Sequence, residues 1–519
     1  MRITATGHAG LFVETTGGSI LCDPWFVPAF HGSWFVFPRN DGLDTVRFAQ
    51  PDYLYISHLH GDHFDAPFLQ EHVEKSTPVL LPEFPTPELE RALRDLGFER
   101  FVECPDGETV SLDGGLDVAI FTATAPSDGP IGDSAILIGD SSGRVLNQND
   151  CRPNHPENIA AKGHIDLHFL QYSGAMWWPV VYELPASEKA RLAAAKRDGQ
   201  MQRAIGYARA ISAASVVPSA GPPCFLDPDL FELNDFDRGS SNIFPDQSVF
   251  LDRVTAAGLH GRLAIPGTVF RVDDGDIEVT QPLPTDDLEL IFTEKRDYLT
   301  QYQADWSDWL IKEKASWPAP ARDLTGRLAT WWEPLLRSAP NTCRAVGRKL
   351  LIRAGDEDVL VDFLEAEVRG WDGNESYQYL LDLPRPLVEW CVERRAVDWS
   401  NSLFLSLRFS AWRPGDYCEE LFSFLKSLNP ERLAVLEGYV AEKQASTPSD
   451  DETVFGEFAV QRRCPHKGAD LSRFGELDGC VLTCNMHGWR FDLETGQCLN
   501  AADHEIRVRR VQVDDPAHP

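Results

Sequence analysis

The chain has 519 residues, 43% of them hydrophobic and 25% charged, with 80 acidic side chains against 48 basic ones. That length predicts two or three domains rather than one, and the composition is that of a globular protein. A formal charge of −32 argues against binding nucleic acid or an anionic membrane face, since both attract basic patches. No run approaches the length of uninterrupted apolar sequence that a membrane span needs. Met1 to Gly18 lack the charged start and apolar core of a signal peptide, and the 11 scattered cysteines suit a reducing compartment better than a disulfide framework. The cytoplasm is the expected location.

In chain order, residues 1–265 are expected to alternate short apolar strands with helices. Strands are predicted at Val79–Leu81, Val118–Thr122, Ala135–Ile138 and Ile165–Gln171, and helices at Pro87–Leu96 and Ala186–Ser212. Residues 266–429 read as an α+β module with no catalytic constellation. It has helices near Leu290–Lys314 and Leu324–Leu336, then strands at Leu350–Ala354, Val359–Leu364 and Tyr377–Leu381. A helix at Leu387–Arg395, an apolar run at Leu403–Phe409 and a last helix at Tyr417–Leu428 complete it. Asn429-Pro430 is the predicted break, and residues 430–519 suit a small all-β domain of short strands and turns.

The first chemical motif stands at the tip of the strand Tyr53–Ser57, which delivers His58-Leu59-His60-Gly61-Asp62-His63. Three imidazoles and a carboxylate within six residues answer no packing need and make a metal site. The motif resembles the metallo-β-lactamase fold, an αββα sandwich. The resemblance implies that His58 and His60 serve one metal, and Asp62 and His63 the other. It also implies a bridging Asp after a later strand, for which Asp150 stands in place. A further ligand is implied before it, where Asp128 is the candidate in a segment without histidine. A carboxylate there suits iron better than zinc, against the reading of Asp128 as a plain loop residue. The last histidine of the fold is missing from Ser219–Pro223, so that position is either open or filled from elsewhere. His164, Asp166 and His168 would share one face of a strand, and they, like His8, are open to ligand, supporting or core roles. Asp23 is expected to orient ligands as a supporting carboxylate.

The second motif is Cys464-Pro465-His466, 17 residues, then Cys484-Asn485-Met486-His487-Gly488-Trp489. C-x-H…C-x-x-H supplies what a Rieske [2Fe–2S] cluster needs, two thiolates for one iron and two imidazoles for the other. Zinc also accepts two Cys and two His, but zinc fingers group them as a Cys pair and a His pair. Cys464, His466, Cys484 and His487 are therefore the expected cluster ligands.

With Cys22-Asp23-Pro24-Trp25, Phe30-His31-Gly32-Ser33-Trp34-Phe35 and Tyr172-Ser173-Gly174-Ala175, the two motifs resemble the CMP-N-acetylneuraminate hydroxylase family. Those enzymes join a Rieske domain to a metallo-β-lactamase-like domain. The resemblance covers roughly the first 260 residues and the last 90, leaves the middle unexplained, and differs in order, since the family places its Rieske domain first. It implies an α/β multidomain protein: an αββα sandwich, an α+β middle module and an all-β Rieske domain. Zinc has no redox chemistry, so a Rieske partner points to non-haem iron, a pair of ions, in the first site. The function expected is a monooxygenase that hydroxylates a C–H bond of a small molecule with O₂. Its electrons would come from an NAD(P)H-dependent reductase or a ferredoxin- or cytochrome b5-like donor. Trp25, Trp34, Trp177 and Trp178 are candidates to line the substrate pocket, against a core role. Two rivals remain open: a lactonase-like zinc hydrolase with the Rieske domain as a redox switch, and a non-catalytic electron-transfer or redox-sensing protein.

Overall fold

A computed structural model describes residues 1–123, 132–174, 176–236, 243–415, 417–445, 451–466, 468–484, 489–499 and 505–511, the side chains of 442–445 aside. The first sheet contains β1 (Arg2–Gly7), β2 (Gly10–Thr15), β3 (Gly18–Cys22), β4 (Tyr53–Tyr55), β5 (Val79–Pro82) and β6 (Phe101–Cys104). The second contains β7 (Thr109–Ser111), β8 (Asp117–Ala123), β9 (Asp133–Asp140), β10 (Gly143–Asn149), β11 (Leu167–Gln171) and β12 (Ser215–Ser219). Period-two alternation decides their packing. Leu11, Val13, Ile20 and Cys22 face the second sheet's Ile120, Ile136, Val145 and Phe169. The intervening Phe12 and Leu21 point outward onto Phe68 and Leu89 of the covering helices Ala66–His72 and Glu88–Asp95. On the other side Ala119, Leu137 and Leu146 meet Ile159 and Ile211 of two further helices. The result is the expected αββα sandwich.

Two strands extend the first sheet beyond its predicted border. β13 (Val269–Asp273) pairs antiparallel with β1, and β14 (Asp276–Thr280) pairs with β13. Phe270 and Val272 enter the inter-sheet core, so the sheet runs past residue 265. β3 through β6 run parallel, as do β10 through β12. Their carboxyl ends therefore collect along one edge, where open α/β sheets bind ligands.

The middle module is a five-stranded sheet in the order Glu367–Gly370, Glu357–Asp362, Lys349–Ala354, Tyr379–Asp382, Ser410–Trp412. The helices Leu324–Ser338, Arg385–Arg394 and Glu419–Leu425 share its core. The helical stretch predicted near Leu290–Lys314 divides into Thr285–Thr293 and Lys295–Ala315. The apolar run 403–409 holds only a 3₁₀ turn, Phe404–Ser406, whose side chains are buried. Asn429-Pro430 starts a helix, Pro430–Ala445, rather than ending a module: proline at the first helical position costs nothing. Leu433, Leu436 and Val440 of this helix enter the middle module's core.

The C-terminal part forms two three-stranded sheets. Phe458, Val460, Leu471 and Phe474 pack onto Met201, Ala204, Ile205 and Ala208 of the long helix Ala186–Ile211. The rings of Tyr207 and Phe474 lie 5.3 Å apart across this junction. Among the described residues no helix is long and apolar enough to cross a membrane.

Candidate metal centre

The loop after β4 is held from below before it offers any ligand. β4 runs parallel to β3, with Cys22 opposite Tyr55. This sets Asp23, at φ 38°, beneath Ser57, whose N–H and Oγ–H both donate to the Asp23 carboxylate at 2.7 Å. The same carboxylate accepts from His63 Nδ1 at 2.9 Å, which leaves the His63 Nε2 lone pair to face the site. His58 is oriented in the same way. Its Nδ1 lies 3.2 Å from Asp133 Oδ1 and 2.9 Å from Ser57 Oγ, turning Nε2 inward.

Two three-residue groups meet there. His58 Nε2 is 2.8 Å from His60 Nδ1 and 4.0 Å from Asp150 Oδ2, so these three form one group. His8 Nε2 is 3.0 Å from Asp62 Oδ2, and His63 Nε2 is 3.7 Å from the same oxygen, so these three form a second. Asp150 Oδ1 lies 3.2 Å from His63 Nε2, which lets one carboxylate reach both groups. His60 Nε2, His63 Nε2 and Asp150 Oδ1 are buried without a hydrogen bond.

Electrostatics shows the charge these side chains favour. Burial disfavours charge on His58 and His63, yet the neighbouring carboxylates outweigh it. His58 is raised to about 9, chiefly by Asp133 and Asp150 against burial. His63 is pushed well above the ordinary histidine range by Asp150, Asp62 and Asp23, again against burial. Asp62 is held far below the usual carboxylate range, because His63 and His8 overcome its burial. A largely enclosed set of imidazoles and carboxylates with this excess of negative potential fits divalent cations with nitrogen and oxygen ligands.

His8 is the residue that sequence reasoning left undecided. It sits on the tight turn between β1 and β2 at φ 52°, edge-on to Trp25 at 5.0 Å. Its carbonyl accepts from Ala220 N–H at 3.1 Å and Ser219 Oγ–H at 2.9 Å. The segment where a last histidine was expected thus braces the histidine that stands in its place. The signal available was Gly7-His8-Ala9-Gly10, a glycine-flanked turn that puts His8 at a strand tip.

Other candidates fall elsewhere. Asp128 and His487 lie outside the described residues. His168 is buried in the second sheet with Nε2 2.8 Å from Gln148 Oε1. His164 is exposed beside Asp166, which binds the Arg144 N–H, so this trio stands apart from both groups. Trp34, Trp177 and Trp178 join the core shared with the middle module.

The described residues of the second motif stand on the turn after Cys464 and at the end of a strand. Cys464 N–H donates to the Ala469 carbonyl, and Gly468 N–H to the Cys464 carbonyl, both at 2.9 Å. Cys484 ends the strand Val481–Cys484 and pairs across to Trp489. His466 stacks on the Trp489 ring at 4.2 Å with 12° between planes. Both sulfurs are buried in one core and outside any disulfide, a donor set that suits a [2Fe–2S] cluster with thiolate and imidazole ligands. His466 Nε2 lies 3.3 Å from Glu419 Oε2 of the middle module.

A metallo-β-lactamase-like sandwich, an α+β module and a Rieske-type domain in one chain define the class. A family model described as "Rieske [2Fe-2S] domain" matches residues 436–510, and one described as "Rv3818-like, SCP2-like domain" matches 324–442. The Rieske 2Fe-2S iron-sulfur protein Rv3818 of Mycobacterium tuberculosis is 45% identical over 518 residues, covering 98% of this chain and 100% of its own length. The chain belongs to this Rv3818-like family of Rieske iron-sulfur proteins. The mouse cytidine monophosphate-N-acetylneuraminic acid hydroxylase is 28% identical over 174 residues, 31% of this chain and 29% of its own. That likeness is narrower than the sequence motifs implied. A metallo hydrolase from the archaeon Ignicoccus hospitalis is similar to part of this chain, at 17% identity and a TM-score of 0.36, covering 54% of this chain and 98% of its own.

Proposed function

We propose that the chain is a metal-dependent oxidoreductase: a monooxygenase that hydroxylates a C–H bond of a small molecule. The observation that supports this reading is a core in which the cluster cysteines pack against strands of the metal domain. Leu170 and Tyr172, on or just past β11, and Val216 of β12 pack in one cluster with Cys464 and Cys484, and β11 is the neighbour of the strand that presents Asp150. A cluster whose work is one-electron transfer is thereby built onto the metal domain. In this reading His58, His60 and Asp150 would hold one iron and His8, Asp62 and His63 the other, with Asp150 within reach of both groups. Asp23 and Asp133 fix the ring tautomers so that Nε2 of His63 and His58 face the ions. Bound there, iron supplies O₂ reduction, and the Rieske cluster, held by Cys464, His466, Cys484 and His487, supplies electrons from an external reductase, ferredoxin or cytochrome b5-like donor.

A second reading rests on the same ligands. Four imidazoles and two carboxylates, buried or half-buried and already gathered together, suit zinc and its activated water as well as iron. They define a hydrolytic centre that needs no electrons, with the Rieske domain as a redox switch. Metal analysis of anaerobically purified protein separates the two. The oxygenase reading expects about four irons per chain, two in the cluster and two in the first centre. Zinc filling the first centre of active protein, with iron confined to the cluster, would transfer the assignment to the hydrolase.

A further inference from the structure

Beside the metal groups the structure gathers cations in a chain that is otherwise strongly acidic. Lys196, Gln200 and Arg203 recur at i, i+4 and i+7 on the helix Ala186–Ile211, which puts them on one face. That face meets the carboxyl ends of β10 and β11. Gln200 Nε2–H donates to the Gly174 carbonyl at 3.0 Å, just past β11. Arg152 stands two residues after Asp150, and its Nη2 lies 3.5 Å from Gln171 Oε1.

Gly174 locates the spot on which Arg152, Gln200 and Gln171 converge, one helical turn along from Lys196. A methyl group added there would sit 3.4 Å from Arg152 Nη2, 3.4 Å from Gln200 Nε2 and 3.5 Å from Gln171 Oε1. Arg152 Nε is buried without a hydrogen bond, as is Gln200 Oε1, although Gln200 is itself 95% buried. Among the described residues no carboxylate lies within ion-pair distance of Arg152 or Lys196, whereas most other arginines shown have one. Lys196 feels this crowding: burial, then Arg152, then Arg203, push its ammonium down to about 7.

Like charges gathered where they are partly withdrawn from water are costly unless an anion answers them. A guanidinium offers a carboxylate or phosphate the paired N–H donors that an ammonium cannot. The position is equally specific, because Arg152 is within about 7 Å of Asp150 along the chain. We propose that Arg152, Lys196 and Gln200 form an oxyanion subsite that anchors the substrate of the metal centre, so that the substrate is a small molecule carrying a carboxylate or phosphate group. The assignment of a substrate rests on the enzymatic reading above; the binding of an oxyanion does not.

The test is calorimetric titration of the metal-loaded full chain with inorganic phosphate and, separately, with acetate. Iron, zinc and cluster absorbance are measured on the same samples. At least one anion should bind saturably, and the better of the two identifies the group recognised. Arg152→Gln and Lys196→Met should each weaken that binding tenfold or more with metal content unchanged, while Arg191→Gln, exposed on the same helix, should leave it as in the wild type. Arg152 and Lys196 are both half-buried, and two separate variants keep the test decisive should either one fold poorly. Saturable binding of neither anion, or equal affinity in wild type and both variants, overturns the subsite. Because the readout is binding and the metals are counted separately, a zinc-filled first centre would redirect the chemistry without touching this result.

Discussion

At the residue scale the first centre divides into what spacing reveals and what only folding brings together. His8 tests this division, because it lies fifty positions before His58 and reaches Asp62 only through the β1–β2 turn. His8→Asn is the suitable change: asparagine tolerates the left-handed backbone at this turn and removes the imidazole. The expected outcome is loss of about one metal ion per chain from the first centre, since ligands of a metal site act together. Cluster absorbance should stay intact and the melting temperature should move little. Full metal retention in His8→Asn would make His8 a packing residue and leave the second position with Asp62, His63 and Asp150 alone. The H-x-H-x-D-H run stood out because no structural requirement explains it, and Asp150 because the resemblance implies a carboxylate just after a later strand. His8 was not, since one histidine between glycines carries no signal until the strand tips are seen side by side.

At the scale of elements, one carboxylate ties the ligand loop to the rest of its domain. Asp65 Oδ1 accepts from Phe68 N–H at 3.0 Å, capping the helix Ala66–His72, while its Oδ2 accepts from the N–H groups of Phe26 and Val27, each at 2.8 Å. The cap alone is worth about 1 kcal/mol, and stranding partly buried N–H groups adds roughly 1–3 kcal/mol. Asp65→Ala should therefore destabilise the chain by about 2–4 kcal/mol, read by denaturant unfolding. Its metal content after folding should remain near that of the wild type, because Asp65 touches none of the ligands. A change below about 0.5 kcal/mol, the range of ordinary surface substitutions, would show that this tie is idle. The strands legible from apolar runs and alternation were a minority of the whole, among them β4, β5, β8, β9 and β11 of the sandwich and three strands of the middle module. The failures have physical causes: Leu403–Phe409 is apolar because it is buried as a turn, and Pro430 opens a helix whose apolar face belongs to the preceding module. β13 escaped notice because it completes a sheet begun more than 250 residues earlier.

At the scale of the whole molecule, the Rieske loops are part of the surface that closes over the helix Ala186–Ile211. The middle module, which carries no metal-grade motif in its sequence, reaches the same loops through Glu419. Its role was unreadable because contact with a cluster is made by folding and leaves no spacing to find. Cys484→Ser probes this arrangement, since it removes a thiolate while preserving volume at the end of a strand. The cluster should be lost, with its visible absorbance and about two irons per chain. Because Cys464 and Cys484 share a core with Met201, Ala204 and Ala208, amide exchange should accelerate along that face of the helix. The inter-sheet core around Ile3, Ile136 and Phe169 should keep its protection, as cooperative units open separately. If the centres lie on one electron path, multiple turnover with a reductase should cease in this variant, while chemically reduced protein still completes a single turnover with O₂. If turnover continues at the wild-type rate without the cluster, the two centres work independently, and the Rieske domain is a switch or a support for a hydrolytic site.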